Sequence, residues 1–224
     1  MAQLVSLEEA ISKIQNGMTI MVGGFIGCGV PDQLLEAICQ KETKELTLIA
    51  NDTGLLGDAM SQLIVQHRVS KLIATHIGTN KETGRQMSAG ELDVTLVPQG
   101  TLAEKIRSKG AGLGGFLTPT GIGTIIEEGK QKLVVNGNEY LLELPVGANV
   151  ALLKALKADK AGNLVYRRAA RNFNPLMAMA ADIVIAQVDH IVEVGEIDPD
   201  EVMTPGIFVD YLVQKRPREL SSVG

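Results

Sequence analysis

The segment Asn16-Gly17-Met18-Thr19-Ile20-Met21-Val22-Gly23-Gly24-Phe25-Ile26-Gly27-Cys28-Gly29-Val30-Pro31 constrains this chain more than any other. Asn16-Gly17 turns the backbone. Thr19–Val22 is a short apolar run of the kind that makes a buried strand. Pro31 then opens a helix over residues 32–38, with Asp32 in its first turn. A strand that reaches a helix through glycines suits an open α/β sheet, where ligands bind beyond the carboxyl ends of the strands. Glycine lets backbone approach a ligand closely, and such a connection can aim N–H groups at an anion. A tight connection with no ligand accounts for the same glycines. The spacing is neither a dinucleotide fingerprint nor a P-loop.

The pattern around this segment extends the argument. Ser6-Leu7-Glu8-Glu9 reads as a capping box for a helix reaching Gln15. Strands are expected at Leu46–Ala50, Leu72–Thr75 and Asp93–Val97, and helices at Asp58–Gln66 and Leu102–Ser108. This alternation predicts an α/β fold: an open, mostly parallel doubly wound sheet with helices on both faces. Lys132–Val135 and Tyr140–Leu144, joined by Asn136-Gly137, read as a hairpin. Leu152–Leu156 and Leu164–Arg167 read as a second, and the two together as a small antiparallel hairpin layer beside the main sheet. A helix at Leu176–Ala181, a buried strand at Ile183–Ala186 and a last strand at Ile207–Val213 complete the reading. One domain over residues 1–216 with a loose tail over 217–224 is expected.

Composition removes several function classes. A chain of 224 residues with 45% hydrophobic residues has enough apolar side chains for a substantial core. Aromatic residues are 3%, with no Trp, so base-stacking platforms are hard to build. The net charge of −5 gives no general attraction for a phosphate backbone, and nucleic acid is not an expected partner. No apolar run reaches membrane-spanning length, and Met1-Ala2-Gln3-Leu4 does not resemble a signal peptide. No membrane association and a cytoplasmic location are therefore expected. Cys28 and Cys39 make neither a disulfide framework nor a metal pair, and His67, His76 and His190 are isolated, so no metal site is expected.

The glycine segment resembles, position by position from Asn16 to Pro31, the alpha-subunit signature of family I CoA-transferases. Further segments resemble the same family: Asn51-Asp52-Thr53-Gly54, Gly90-Glu91-Leu92, Leu96 to Arg107, Thr118 to Thr124 and Asp159 to Asn174. Similarity extends over nearly the whole chain and is greatest to the branch acting on short-chain fatty acids and acetoacetate. The resemblance implies a ping-pong exchange of CoA between carboxylates through a glutamyl-CoA thioester. In two-subunit members the glutamate lies in a Glu-Asn-Gly motif of the beta subunit, and this chain contains no such motif. No catalytic residue is expected here. The implied partners are a beta subunit, in an α2β2 assembly, with acyl-CoA and a short-chain carboxylic acid. Coenzyme A is substrate, and no separate cofactor is implied.

By the same resemblance, Gly24, Phe25, Ile26, Gly27, Cys28, Gly29 and Val30 contact CoA. Gln99 and Asn51 line the shared site, with Gln99 donating to a developing oxyanion. Both are read as strand-end positions. Gly110-Ala111-Gly112-Leu113-Gly114-Gly115 matches Gly-x-Gly-x-x-Gly but follows a helix, so a structural loop is expected. Cys28 is read as a bystander and Cys39 as core. Arg167, Arg168 and Arg171 are a solvated basic cluster, or else an interface or a CoA-phosphate contact. The rival to the enzyme-subunit reading is a stand-alone acyl-CoA or sugar-phosphate binding or regulatory module on a related fold.

Overall fold

The structure is a computed structural model that describes residues 1–217. The expected tail lies, beyond Pro217, outside the described residues. Among the described residues, twelve strands and six α-helices occur in the order β1 (Gln3–Leu4), α1 (Leu7–Ser12), β2 (Thr19–Val22), α2 (Asp32–Lys41), β3 (Leu46–Ala50), α3 (Ala59–Val65), β4 (Val69–Ala74), α4 (Lys81–Ser88), β5 (Asp93–Leu96) and α5 (Gln99–Gly110). Then follow β6 (Phe116–Thr118), β7 (Lys132–Val135), β8 (Asn138–Glu143), β9 (Ala148–Asp159), β10 (Leu164–Val165), α6 (Asn174–Ala178), β11 (Ala181–Val192) and β12 (Tyr211–Gln214).

The main sheet has the order β1-β12-β11-β9-β2-β3-β4-β5, and β10 pairs with β9. Every pairing in it is parallel except β10 with β9. From β2 the chain winds outward through β3, β4 and β5. It later returns to fill the other side with β9, β11 and β12. The order therefore reverses between β2 and β9, a topological switch point of the kind that opens a ligand crevice. Helices cover both faces because successive strand residues point opposite ways. Ile20, Val22 and Leu48 pack with Ile11, Leu35, Ile38 and Leu63 of α1, α2 and α3. Met21, Ile49 and Ala151 pack on the opposite face with Leu102, Ile106 and Met177 of α5 and α6.

The predicted sheet is therefore present, with several corrections. The second hairpin is real in that β10 turns back on β9, but it is not part of a separate layer. β9 sits in the middle of the main sheet, parallel to β2 and β11. Val150, Ala151, Leu152 and Leu153 are all buried, the continuous apolar run of a strand covered on both faces. The small antiparallel layer is β6-β8-β7 alone. Helix α4 was not anticipated, because Lys81–Ser88 is polar and holds Gly84. It forms because the Asn80 side chain caps it, accepting from the Glu82 N–H at 3.1 Å, and because Thr83 and Gln86 are buried on its inner side.

Boundaries moved for local reasons. Ser6 caps α1 as expected, accepting from the Glu9 N–H at 3.0 Å, but the helix stops at Ser12. Helix α5 begins at Gln99, three residues before the expected start, so Gln99 is a first-turn helical residue rather than a strand end. Helix α6 ends at Ala178, since Ala181 already belongs to β11. The last strand is confined to Tyr211–Gln214, with a single 3-10 turn at Gly206–Phe208 before it. Among the described residues, no helix is long and apolar enough to cross a membrane.

Candidate functional site

Strand β2 delivers the glycine segment to the switch point. Beyond Val22 the chain makes a tight turn whose base is closed by two hydrogen bonds. The Phe25 N–H donates to the Cys28 carbonyl at 3.0 Å and the Cys28 N–H to the Phe25 carbonyl at 2.9 Å. The two residues at its tip, Ile26 and Gly27, have φ of 42° and 79°. Both being positive, they make the mirror-image turn that usually carries Asn-Gly. For glycine this is free of strain. For Ile26, branched at Cβ, it is strained by about 1–2 kcal/mol. Side chains from distant parts of the chain hold the turn in that shape.

Asp52 holds the tip. Its Oδ2 accepts the Ile26 N–H at 2.9 Å and the Asn51 amide at 2.8 Å, while Oδ1 accepts the Gly54 N–H at 2.8 Å. Asn51 and Asp52 are buried at the carboxyl end of β3. Asn51 Oδ1 in turn accepts from Gln99 Nε2 at 2.7 Å and from the Thr75 hydroxyl at 2.9 Å. One hydrogen-bonded row thus crosses the ends of β2, β3, β4 and β5. Asn172 holds the base: its Oδ1 accepts the Gly24 N–H at 3.1 Å and its Nδ2 donates to the Cys28 carbonyl at 3.0 Å. Asn174 Nδ2 donates to the Gly29 carbonyl at 3.1 Å.

These contacts explain the glycines individually. A Cβ at Gly23 would stand 1.9 Å from Asn174 Oδ1, and one at Gly29 would stand 2.9 Å from the Ala170 carbonyl oxygen. They also narrow the anion-binding expectation. The N–H groups of Gly24, Phe25, Ile26 and Cys28 donate to protein acceptors. Those of Gly27, Gly29 and Val30 have no acceptor among the described residues. The start of α2 is taken up by side chains of the protein: Gln187 Oε1 accepts the Gln33 and Leu34 N–H groups at 2.9 and 3.2 Å, and Asp32 Oδ1 accepts the Gln33 N–H at 3.1 Å. Beside the loop lies a hollow of 390 Å³, lined in part by Gly27, Gly29, Val30 and Lys154. Burial pushes the Lys154 ammonium down from its ordinary value, although it pairs with Asp189.

The structure brings Gly24–Val30, Asn51 and Gln99 to one edge of the sheet, as the sequence reading requires. Phe25, Ile26 and Cys28 are exposed there, and Cys39 is buried in the core. Arg167, Arg168 and Arg171 are exposed on the segment that carries Asn172, against the loop. Sequence reasoning missed Asp52, Asn172 and Asn174 as loop holders. Asp52-Thr53-Gly54 carried a legible signal, an Asx turn onto the Gly54 N–H. Asn172 carried none, being far from Gly24 in sequence. The Gly110–Gly115 cluster lies at the opposite edge. Gly112 and Leu113 line a hollow of 580 Å³ with Thr19 and Ala148, the first residues of β2 and β9.

An open, doubly wound α/β sheet with a clamped glycine turn at its switch point is the class of protein the fold defines, one in which ligands generally bind at that point. Comparisons with known proteins name the family. The sequence pattern described as "Coenzyme A transferase" matches residues 4–215. The chain is 54% identical over 211 residues to the acetate CoA-transferase subunit alpha of Escherichia coli (strain K12), covering 94% of this chain and 96% of that one. It is 46% identical over 214 residues to the acetoacetyl-CoA:acetate/butyrate CoA transferase alpha subunit of Clostridium acetobutylicum, covering 96% and 98%. The acyl-CoA transferase YdiF from Escherichia coli O157:H7, solved as the apoenzyme, superposes with a TM-score of 0.86 at 21% identity. That match covers 96% of this chain and 47% of YdiF, so this chain spans about half of that protein. The chain belongs to the coenzyme A transferase family and matches its alpha subunits over nearly their full length.

Proposed function

We propose that this chain binds the CoA portion of a short-chain acyl-CoA on the Gly24–Val30 turn, while a beta subunit supplies the nucleophile. The exchange passes CoA from acetyl-CoA or butyryl-CoA to acetoacetate or another short-chain acid. The carrying observation is the clamped turn at the switch point, with the N–H groups of Gly27, Gly29 and Val30 left open, in a chain that has no Glu-Asn-Gly.

A glutamate carboxylate of the beta subunit attacks the thioester carbonyl and expels CoA thiolate, leaving an acyl-glutamyl anhydride. The thiolate then attacks the glutamyl carbonyl, releasing the first acid and forming a glutamyl-CoA thioester. The incoming acid reverses both steps. A carboxylate is a weak nucleophile, so holding CoA fixed and stabilising the oxyanion must supply much of the rate. The Gln99 amide has two hydrogens and spends one on Asn51. The second is the donor offered to the oxyanion. Coenzyme A is substrate, no separate cofactor is needed, and α2β2 is the proposed assembly in the cytoplasm.

Purified alone, this chain should be inert. Mixed with a beta chain carrying Glu-Asn-Gly, it should transfer CoA from acetyl-CoA to acetoacetate. Robust transfer by this chain alone would overturn the split site. A co-purified pair inactive on every short acyl-CoA donor would favour a binding module instead.

A further inference from the structure

We propose that Asp52 is a positioning residue that ties the CoA-facing turn to the Asn51–Gln99 amide pair, so that the two halves of this chain's site are held at one fixed separation. The inference rests on the reading that the turn carries CoA.

Asp52 is buried, and its carboxylate accepts three hydrogen bonds. Oδ2 takes the Ile26 N–H and the Asn51 amide, and Oδ1 takes the Gly54 N–H. The Ile26 bond is the decisive one. Ile26 stands at φ 42°, a conformation that a β-branched residue leaves unless something holds it there. Three holders act on the turn, and they differ in what they connect. Asn172 and Asn174 attach its base to the 168–174 segment. Asp52 attaches its strained tip to Asn51, and through Asn51 to Gln99 and Thr75. Without Asp52 the turn keeps its base but loses its register with the amide pair.

An asparagine cannot replace this carboxylate. It offers one acceptor oxygen where the structure presents donors to both oxygens, so its amide group would face either Gly54 or the Ile26–Asn51 pair. Misplacement of a substrate-holding group by about 1 Å costs on the order of 100-fold in rate.

The test uses the intact α–β complex with Asp52→Asn and, should that variant not fold, Asp52→Ser, which keeps one acceptor. Hydrogen–deuterium exchange should show loss of protection at Ile26, the tip of the 24–30 turn, with β9 unchanged. The kcat for CoA transfer should fall about 10- to 100-fold, with the KM for the free acid unchanged. Unchanged protection of the turn alongside lost activity would overturn the proposal, because Asp52 would then act by another route. Lost protection with wild-type kcat would overturn it too. Gly27→Ala separates this inference from the reading beneath it. A side chain there meets no protein atom within 4 Å but projects from the tip of the turn and, at φ 79°, also strains it. If Gly27→Ala weakens CoA binding while Asp52→Asn leaves rate and protection intact, the positioning role alone fails. If Gly27→Ala leaves CoA affinity unchanged, the turn is not the CoA site and both fail.

Discussion

The glycine clusters at 23–29 and 110–115 hold four glycines each, yet their glycines answer to different neighbours. In the first, the Cβ positions of Gly23, Gly24 and Gly29 are occupied by Asn174, Val30 and Ala170, and five N–H groups are bound by the protein. The turn is gripped from two sides and leaves a short exposed face of backbone. In the second, Gly112 and Gly114 have no neighbour within 4 Å, while Gly110 and Gly115 abut Met179 and the Glu143 carbonyl. That cluster carries the chain from α5 into the small sheet. The small sheet is fastened by a buried charge. Glu143 pairs with Lys105 of α5 at 2.9 Å and with Lys130. Glycine density alone therefore does not mark a site. What sets the first cluster apart is backbone held in a strained shape with N–H groups left open.

The sharpest way to break this contrast is Gly23→Ala. The new methyl would overlap Asn174 Oδ1, which accepts the Lys154 N–H, on a side chain whose Nδ2 donates to the Gly29 carbonyl. A loss of about 3 kcal/mol is expected on denaturant unfolding, together with loss of CoA transfer. Wild-type behaviour would show that the first cluster is not tightly packed in solution.

Glu143→Gln should act on the other region with a smaller effect. It leaves two partly buried ammonium groups facing a neutral amide, and stability should fall by about 2 kcal/mol at neutral pH. CoA affinity should not change. Burial raises the Glu143 carboxyl, but the two lysines outweigh it and its pKa lies below the ordinary value. A depressed folded pKa contributes stability that is complete above the ordinary carboxylate range and is lost as pH falls through the folded value. The gap between wild type and variant should therefore narrow in melts taken from about pH 7 down to about pH 4. A gap that widens instead would contradict the pairing.

The smallest effect belongs to Gly114→Ala. Its Cβ would enter open space with no positive φ to oppose it. Stability should stay within about 0.5 kcal/mol, with transfer activity unchanged. An inactive Gly114→Ala complex would mean that the second cluster also serves the ligand.

Much of this was legible in the residues themselves. Short apolar runs alternating with capped helices determined a parallel, doubly wound sheet, because strand and helix periods are local properties of sequence. The Asn16–Pro31 pattern placed the turn at a strand's carboxyl end for the same reason. The place of β9 was not legible. A buried apolar strand looks the same whether it joins a hairpin layer or the centre of a sheet, and its neighbours decide which. Gln99 was read as a strand end but lies in a helix, since α5 starts at Gln99, after Pro98 as its N-cap, rather than at the first apolar periodicity. Helix α4 was hidden because its stability comes from Asn80, Thr83 and Gln86 meeting partners elsewhere, not from an apolar stripe.

By itself, then, the sequence determined that a glycine turn follows a buried strand and that no Glu-Asn-Gly is present. Tertiary structure alone decided which N–H groups of that turn stay open. That choice belongs in large part to Asp52 and Asn172, which take the Ile26 and Gly24 N–H groups and whose side chains arrive from another strand end and another loop. Hydrogen bonds between residues so far apart along the chain leave no periodic trace in it.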